Sequence, residues 1–90
     1  MAKIKIPTPL VKFTNNKTQV EVDGNTIAEL IDNLDKNYPG IKKRLCEDNG
    51  EIRKFINIYV NGNDIRFSKL LDTELNNDSE VSIVPAISGG

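Results

Sequence analysis

The chain has 90 residues, 38% of them hydrophobic and 28% charged, with a net charge of −1 at pH 7. That suffices for one domain with a modest core, and the even mixture of signs excludes a nucleic-acid binder, which needs a concentrated basic face. There is no histidine and one cysteine, Cys46, which excludes Ser–His and Cys–His nucleophile pairs, an internal disulfide, a four-cysteine iron–sulfur centre and an ordinary zinc site.

Ile4 and Ile6 alternate with lysines from Lys3 towards Pro7 and predict a first strand. Pro7 and Pro9 cannot donate to a ladder, so pairing should fail there. Asn15-Asn16 is a turn signal, and Thr18-Gln19-Val20-Glu21-Val22 alternates again, which predicts an antiparallel hairpin. After Asp23-Gly24-Asn25, Thr26 and Glu29 stand at capping-box spacing. Ile27, Leu30, Ile31 and Leu34 then form one apolar stripe, the mark of an amphipathic helix. Asp32 and Lys36 are spaced to pair on its exposed side. Tyr38-Pro39-Gly40 ends the helix, and Ile41 to Leu45 can add a further turn.

Lys42-Lys43-Arg44 reads as solvated surface. Cys46, within Arg44-Leu45-Cys46-Glu47, reads as an exposed, incidental thiol ahead of the polar loop Glu47-Asp48-Asn49-Gly50. Phe55-Ile56-Asn57-Ile58-Tyr59-Val60 is the strongest strand in the chain. Asn61-Gly62-Asn63 turns it into a short fourth strand from Asp64 to Phe67, and Leu70, Leu71 and Leu75 pin a loop onto the core. Asn77-Asp78-Ser79 is a turn before the last strand, Glu80 to Val84.

The order strand, strand, helix, strand, short strand, strand predicts an α+β domain over residues 1–90, with four to five strands of mixed direction packed on one main helix. This is the ubiquitin-like β-grasp arrangement, in which the first and last strands are parallel central neighbours and residues 85–90 project as a flexible tail. The tail ends on Ser88-Gly89-Gly90. Two glycines contribute nothing to a core and lose the most backbone entropy on ordering, but they suit a terminus that threads a narrow slot and presents its carboxylate to another protein. No apolar run approaches the ~20 residues of a membrane span, and Met1-Ala2-Lys3-Ile4-Lys5-Ile6 lacks a signal-peptide core. The expectation is a cytoplasmic protein that is acted upon by enzymes and is not itself one, with neither membrane nor nucleic acid as partner.

The run from Glu80-Val81 through Val84-Pro85-Ala86-Ile87-Ser88-Gly89-Gly90 resembles the C-terminus of the MoaD/ThiS sulfur carriers. Ile6-Pro7-Thr8-Pro9-Leu10, and Phe55-Ile56-Asn57-Ile58-Tyr59-Val60-Asn61 with Asp64-Ile65-Arg66-Phe67, are similar to the branch of that family serving cysteine biosynthesis. The chain departs from many members in having Asn77-Asp78-Ser79-Glu80-Val81 for Asp-Gly-Asp-Glu-Val, and Ala86 for a second proline.

The resemblance implies that an E1-like adenylating enzyme uses ATP to activate the Gly90 carboxylate, and that a sulfur donor displaces AMP to leave a thiocarboxylate. It further implies a sulfur-accepting synthase, for this branch a PLP-dependent cysteine synthase, and a peptidase that releases the product; the chain itself would hold no cofactor or metal. Gly90 and Gly89 would be the working residues. Docking would fall on the sheet face opposite the helix, with Pro85, Ala86, Ile87, Ser88, Tyr59 and Phe67 as candidates and Phe67 expected in the core. Carriers for molybdopterin or thiamine thiazole share the same tail. So does a ubiquitin-like modifier joined through Gly90 to a lysine, and an inert interaction module would share the fold.

Overall fold

In the computed structural model, which describes residues 1–85, β1 (Ala2–Lys5) and β2 (Gln19–Val22) form the expected antiparallel hairpin, with Ile4 opposite Val20. Their connection is more than a turn, because Thr8–Thr14 wind into a 3-10 helix. The prolines that stop the strand start this helix: the Leu10 N–H donates to the Pro7 carbonyl at 2.9 Å. Asn15 and Asn16 end it with φ of 55° and 65°, left-handed values that asparagine tolerates better than most residues. Thr14 is fully buried, and its hydroxyl lies 2.8 Å from the Lys17 carbonyl and 3.2 Å from that of Val11, so no polar atom is stranded.

The capping box opens α1 (Ile27–Asn37). Thr26 Oγ1 accepts from the Glu29 N–H at 3.2 Å, and Glu29 Oε1 accepts from the Asn25 N–H at 3.2 Å. All four stripe residues are buried, each contributing on the order of 1.5–3 kcal/mol of transfer free energy. Gly24 is required by close approach: a Cβ there would lie 2.7 Å from the Leu30 nitrogen. Gly40, at φ 101°, turns the chain into α2 (Ile41–Leu45). Asp35 Oδ1 fixes that start by accepting from the Gly40 and Lys42 N–H groups, each at 3.1 Å. The turn brings Lys42 beside Asp32 at 2.6 Å, so Asp32 pairs with α2 and not with Lys36 as its helical spacing predicts.

The five-stranded sheet has the order β2-β1-β5-β3-β4. The last strand, β5 (Glu80–Pro85), lies centrally, parallel to β1 and antiparallel to β3 (Ile56–Val60). β4 is only Asn63–Asp64. The rest of the expected fourth strand, Ile65–Phe67, is a 3-10 helix. Asp64 Oδ1 accepts from the Arg66 N–H at 2.9 Å, and such a local bond competes with ladder formation. Ile65 is buried, whereas Phe67 is 91% exposed, which corrects its assignment to the core. In the 3-10 turn Leu70–Asp72, Leu71 is half-buried against the core and Leu70 is exposed; Leu75 is buried.

Cys46 is also corrected. It is 4% exposed and belongs to the core cluster, because Cys46 bridges to Ile52 and the polar turn between them folds over it. Strand alternation sends Ile4, Val20, Ile58, Val81 and Ile83 to the helix-covered face, and Lys5, Asn57, Tyr59, Ser82 and Val84 to the other. Among the described residues no helix is long and apolar enough to cross a membrane.

Candidate functional site

Of the residues the sequence points to as functional, Pro85, Tyr59 and Phe67 are described: Pro85 ends β5, Tyr59 lies within β3 and Phe67 closes the 3-10 helix after β4. β5 has partners on both sides in its first half, where Ser82 stands opposite Lys5 of β1 and Tyr59 of β3; from Ile83 on it pairs with β3 alone, Pro85 standing opposite Ile56. A strand laddered on both edges is held more firmly than an edge strand. Pro85, expected as the first residue of a projecting tail, is therefore still part of the sheet. The other tail candidates, Ala86, Ile87, Ser88, Gly89 and Gly90, lie outside the described residues. The five of them, fully extended, reach about 17 Å beyond Pro85.

The sheet face away from α1 carries two rows beside this exit. In one, Lys5, Ser82, Tyr59 and Asp64 lie side by side across four strands. In the other, Asn57 lies opposite Val84, which is 42% exposed. The Arg66 guanidinium donates to the Asn57 side-chain oxygen, tying the 3-10 helix to this face. Tyr59 is half-buried in the first row. Phe67 and Phe55 are exposed aromatics, Phe55 immediately preceding β3. Sequence reading treated Phe55 as one end of the strand; its 68% exposure identifies it as a further apolar surface residue near the exit. On the other face, a groove of about 600 Å³ opens between the segment 51–54, β3 and the 3-10 helices, floored by Ile52, Ile56, Ile58 and Ile65.

The side chains offer little chemistry of their own. Burial pushes the Cys46 thiol above its ordinary value, against the lowering influence of Lys42 and Arg53, so the neutral thiol is favoured and the nucleophilic thiolate is not. Among the described residues no three His, Cys, Asp or Glu side chains are grouped to hold a metal ion. What the fold does supply is a central strand delivering the chain to one end of the body, beside a sheet face on which Tyr59 and the exposed Val84 stand among polar side chains.

The architecture is that of a ubiquitin-like β-grasp domain: a mixed five-stranded sheet with its first and last strands parallel at the centre, crossed by one main helix. The ThiS family profile matches residues 4–90, and the chain belongs to that family. It is 39% identical over 89 residues to the sulfur carrier protein CysO of Mycobacterium tuberculosis, covering 97% of this chain and 96% of the relative. Among solved structures it is similar to a chain of the Amycolatopsis orientalis BexX/CysO complex, with a TM-score of 0.94, 38% identity and full coverage of both chains. It is also similar to the small archaeal modifier protein 1 of Methanosarcina acetivorans, with a TM-score of 0.85 and 28% identity over 99% of this chain and 95% of the other.

Proposed function

We propose that this protein is a sulfur carrier whose reactive group is the C-terminal carboxylate of Gly90, serving cysteine biosynthesis. The observation that supports it most is the central β5, paired with β1 over Glu80–Ser82 and with β3 as far as Pro85, which leads into Ala86-Ile87-Ser88-Gly89-Gly90. The full-length similarity to CysO supports the choice of pathway.

A free carboxylate is a poor electrophile. An E1-like adenylating enzyme joins it to the α-phosphate of ATP, releasing pyrophosphate and leaving an acyl-adenylate. A sulfur donor attacks the acyl carbon and AMP departs, which leaves a thiocarboxylate on Gly90. The sulfur is now nucleophilic and stays covalently held. It bonds to the β-carbon of an activated serine on a PLP-dependent cysteine synthase as that serine's hydroxyl-derived leaving group departs. The resulting thioester passes its acyl group to the neighbouring amine as an amide, and a peptidase hydrolyses that amide to free the new cysteine from Gly90. The chain's own contribution is reach and slenderness. Residues 86–90 let the terminus enter a buried site while the body remains outside, and Gly89 and Gly90 place no side chain beside the reacting carbonyl. ATP and PLP are held by the partners.

Reconstitution with an adenylating enzyme, ATP and a sulfide source tests the proposal. The native chain is expected to gain sulfur at Gly90 and Gly90→Ala to load markedly more slowly; equal loading of the two would contradict the role given to the terminal glycine. The similarity to a small archaeal modifier favours one second reading, in which the same adenylate ends as an isopeptide bond to a target lysine.

A further inference from the structure

The end of the molecule from which the tail leaves carries a connected set of cations. β1 and β5 are parallel, so the 3-10 helix Thr8–Thr14 that follows β1 stands at the end where β5 finishes. Its Phe13 packs against the start of α2, where a Cβ on Gly40 would sit 3.3 Å from the ring. The Lys12 ammonium and the Arg44 guanidinium both lie over that ring, 5.6 and 5.7 Å from its centroid, an arrangement that holds two like charges near one another. Next to Arg44, the Lys43 carbonyl accepts from Arg53 Nε and Nη2 at 3.0 and 2.9 Å. Lys54 follows, and two residues later Ile56 faces Pro85.

Lys12, Lys43, Arg44, Arg53 and Lys54 are all exposed. Carboxylates are close in sequence, since Glu47, Asp48 and Glu51 occupy the adjoining turn. The one ion pair among the described residues, however, is Lys42–Asp32, so no carboxylate of the described residues forms an ion pair with any of the five cations. The whole chain has a net charge of −1, which makes this collar a segregation of charge and not a general excess. Two of its members, Lys43 and Arg44, belong to the run Lys42-Lys43-Arg44 that sequence alone reads as ordinary solvated surface.

We infer that this cationic collar is a docking element for the enzyme that takes up the tail, and that it meets acidic side chains on the rim of that enzyme's active-site entrance. The inference rests on the carrier reading, because it requires a partner that engulfs Gly90. Its physical basis is position: charges around the exit of a tail orient that tail toward an oppositely charged mouth before close contact forms. Complementary fields of this kind raise association rates by ten- to a thousandfold and fade with salt.

The test is adenylation of the purified full-length protein by the adenylating enzyme, followed as pyrophosphate exchange across a salt series. The variants are K12Q/K43Q/R44Q, and the single changes K43Q and K3Q, which alter net charge equally at opposite ends. The triple variant is expected to lower kcat/KM about tenfold at low salt, leave kcat unchanged and flatten the salt dependence seen for the native chain. K43Q should fall further than K3Q. All four positions are exposed, and circular dichroism melts check that folding is intact. Full exchange with the triple variant, or a native rate insensitive to salt, overturns the collar while leaving the carrier reading standing. No exchange with the native chain overturns both. Sedimentation showing salt-sensitive self-association that the triple variant loses, with exchange unaffected, overturns the collar in favour of an acidic face on a second copy.

Discussion

The two ends of this small domain have been built for different tasks. At the end where β1 starts and β2 finishes, the surface is acidic. Glu21 and Glu80 flank Lys3 in the sheet, Asp23 follows β2, and Glu74 bridges to Thr26 at the helix start. Here the structure is mostly concerned with folding: the capping box, Gly24 against the Leu30 backbone, and the Ser79 hydroxyl accepting from the Asn76 N–H at 2.9 Å. At the other end β5 finishes, the cations gather, and exposed apolar side chains such as Phe55 and Val84 remain uncovered. Groups that do not help the fold are concentrated at the end where β5 finishes.

If that division is right, damage at one end should spare the property of the other. The largest effect is expected from deleting Gly89 and Gly90, which should abolish sulfur loading and leave the thermal unfolding midpoint unchanged. Retained loading by the truncated chain would break the comparison outright. Gly24→Ala should do the reverse. Its Cβ would fall 2.7 Å from Leu30 N and 2.8 Å from Leu30 Cα, and relieving that overlap costs about 1–3 kcal/mol. A denaturant melt should show the loss, while loading per folded molecule stays the same.

Cys46 gives a pH test from the core between the two ends. Burial raises its folded-state pKa, so the folded protein holds the thiol proton more tightly than the unfolded chain does. The stabilisation is present below the unfolded thiol value of about 8.5 and is lost as pH rises towards the folded value. Stability should therefore decline in alkaline buffer, and Cys46→Ala should make that decline shallower. Alkylation should be slow in the native protein and fast in denaturant. The smallest effect belongs to Asp32→Asn. The Lys42–Asp32 pair is about half exposed on both sides, and such pairs contribute about 0.2–1 kcal/mol. Asp32 raises the Lys42 pKa through its hydrogen bond and charge. This small term is present below lysine's ordinary value and disappears as pH rises through the raised one.

Period and capping made most of the fold legible in the sequence. Ile4 and Ile6, Val20 and Val22, and Ile56, Ile58 and Val60 announce strands by alternation, and Thr26 with Glu29 marks the helix start. Element order then requires the first and last strands to be neighbours. The failures share a cause, which is local pattern giving way to contacts between distant segments or to a side chain bonding its own backbone. Ile65 and Phe67 alternate like a strand, but Asp64 caps a 3-10 turn and turns Phe67 outward. Cys46 has charged neighbours in sequence, yet its bridge to Ile52 puts it inside. Asp32 has a partner at helical spacing and is taken by Lys42 across a turn. The collar was invisible for the same reason, since only folding brings Lys12, Arg44 and Arg53 to one end. The role proposed for Gly90, by contrast, rests on the terminal glycines of the sequence, which lie outside the described residues.

The most direct measurement is the intact mass of the C-terminal peptide from protein recovered from its native cells during sulfur limitation. A sulfur-for-oxygen exchange at Gly90, or an added cysteine there, is the predicted result, and the cysteine adduct would identify the pathway. An unmodified carboxylate, or a bond from Gly90 to a target lysine, would contradict the carrier account.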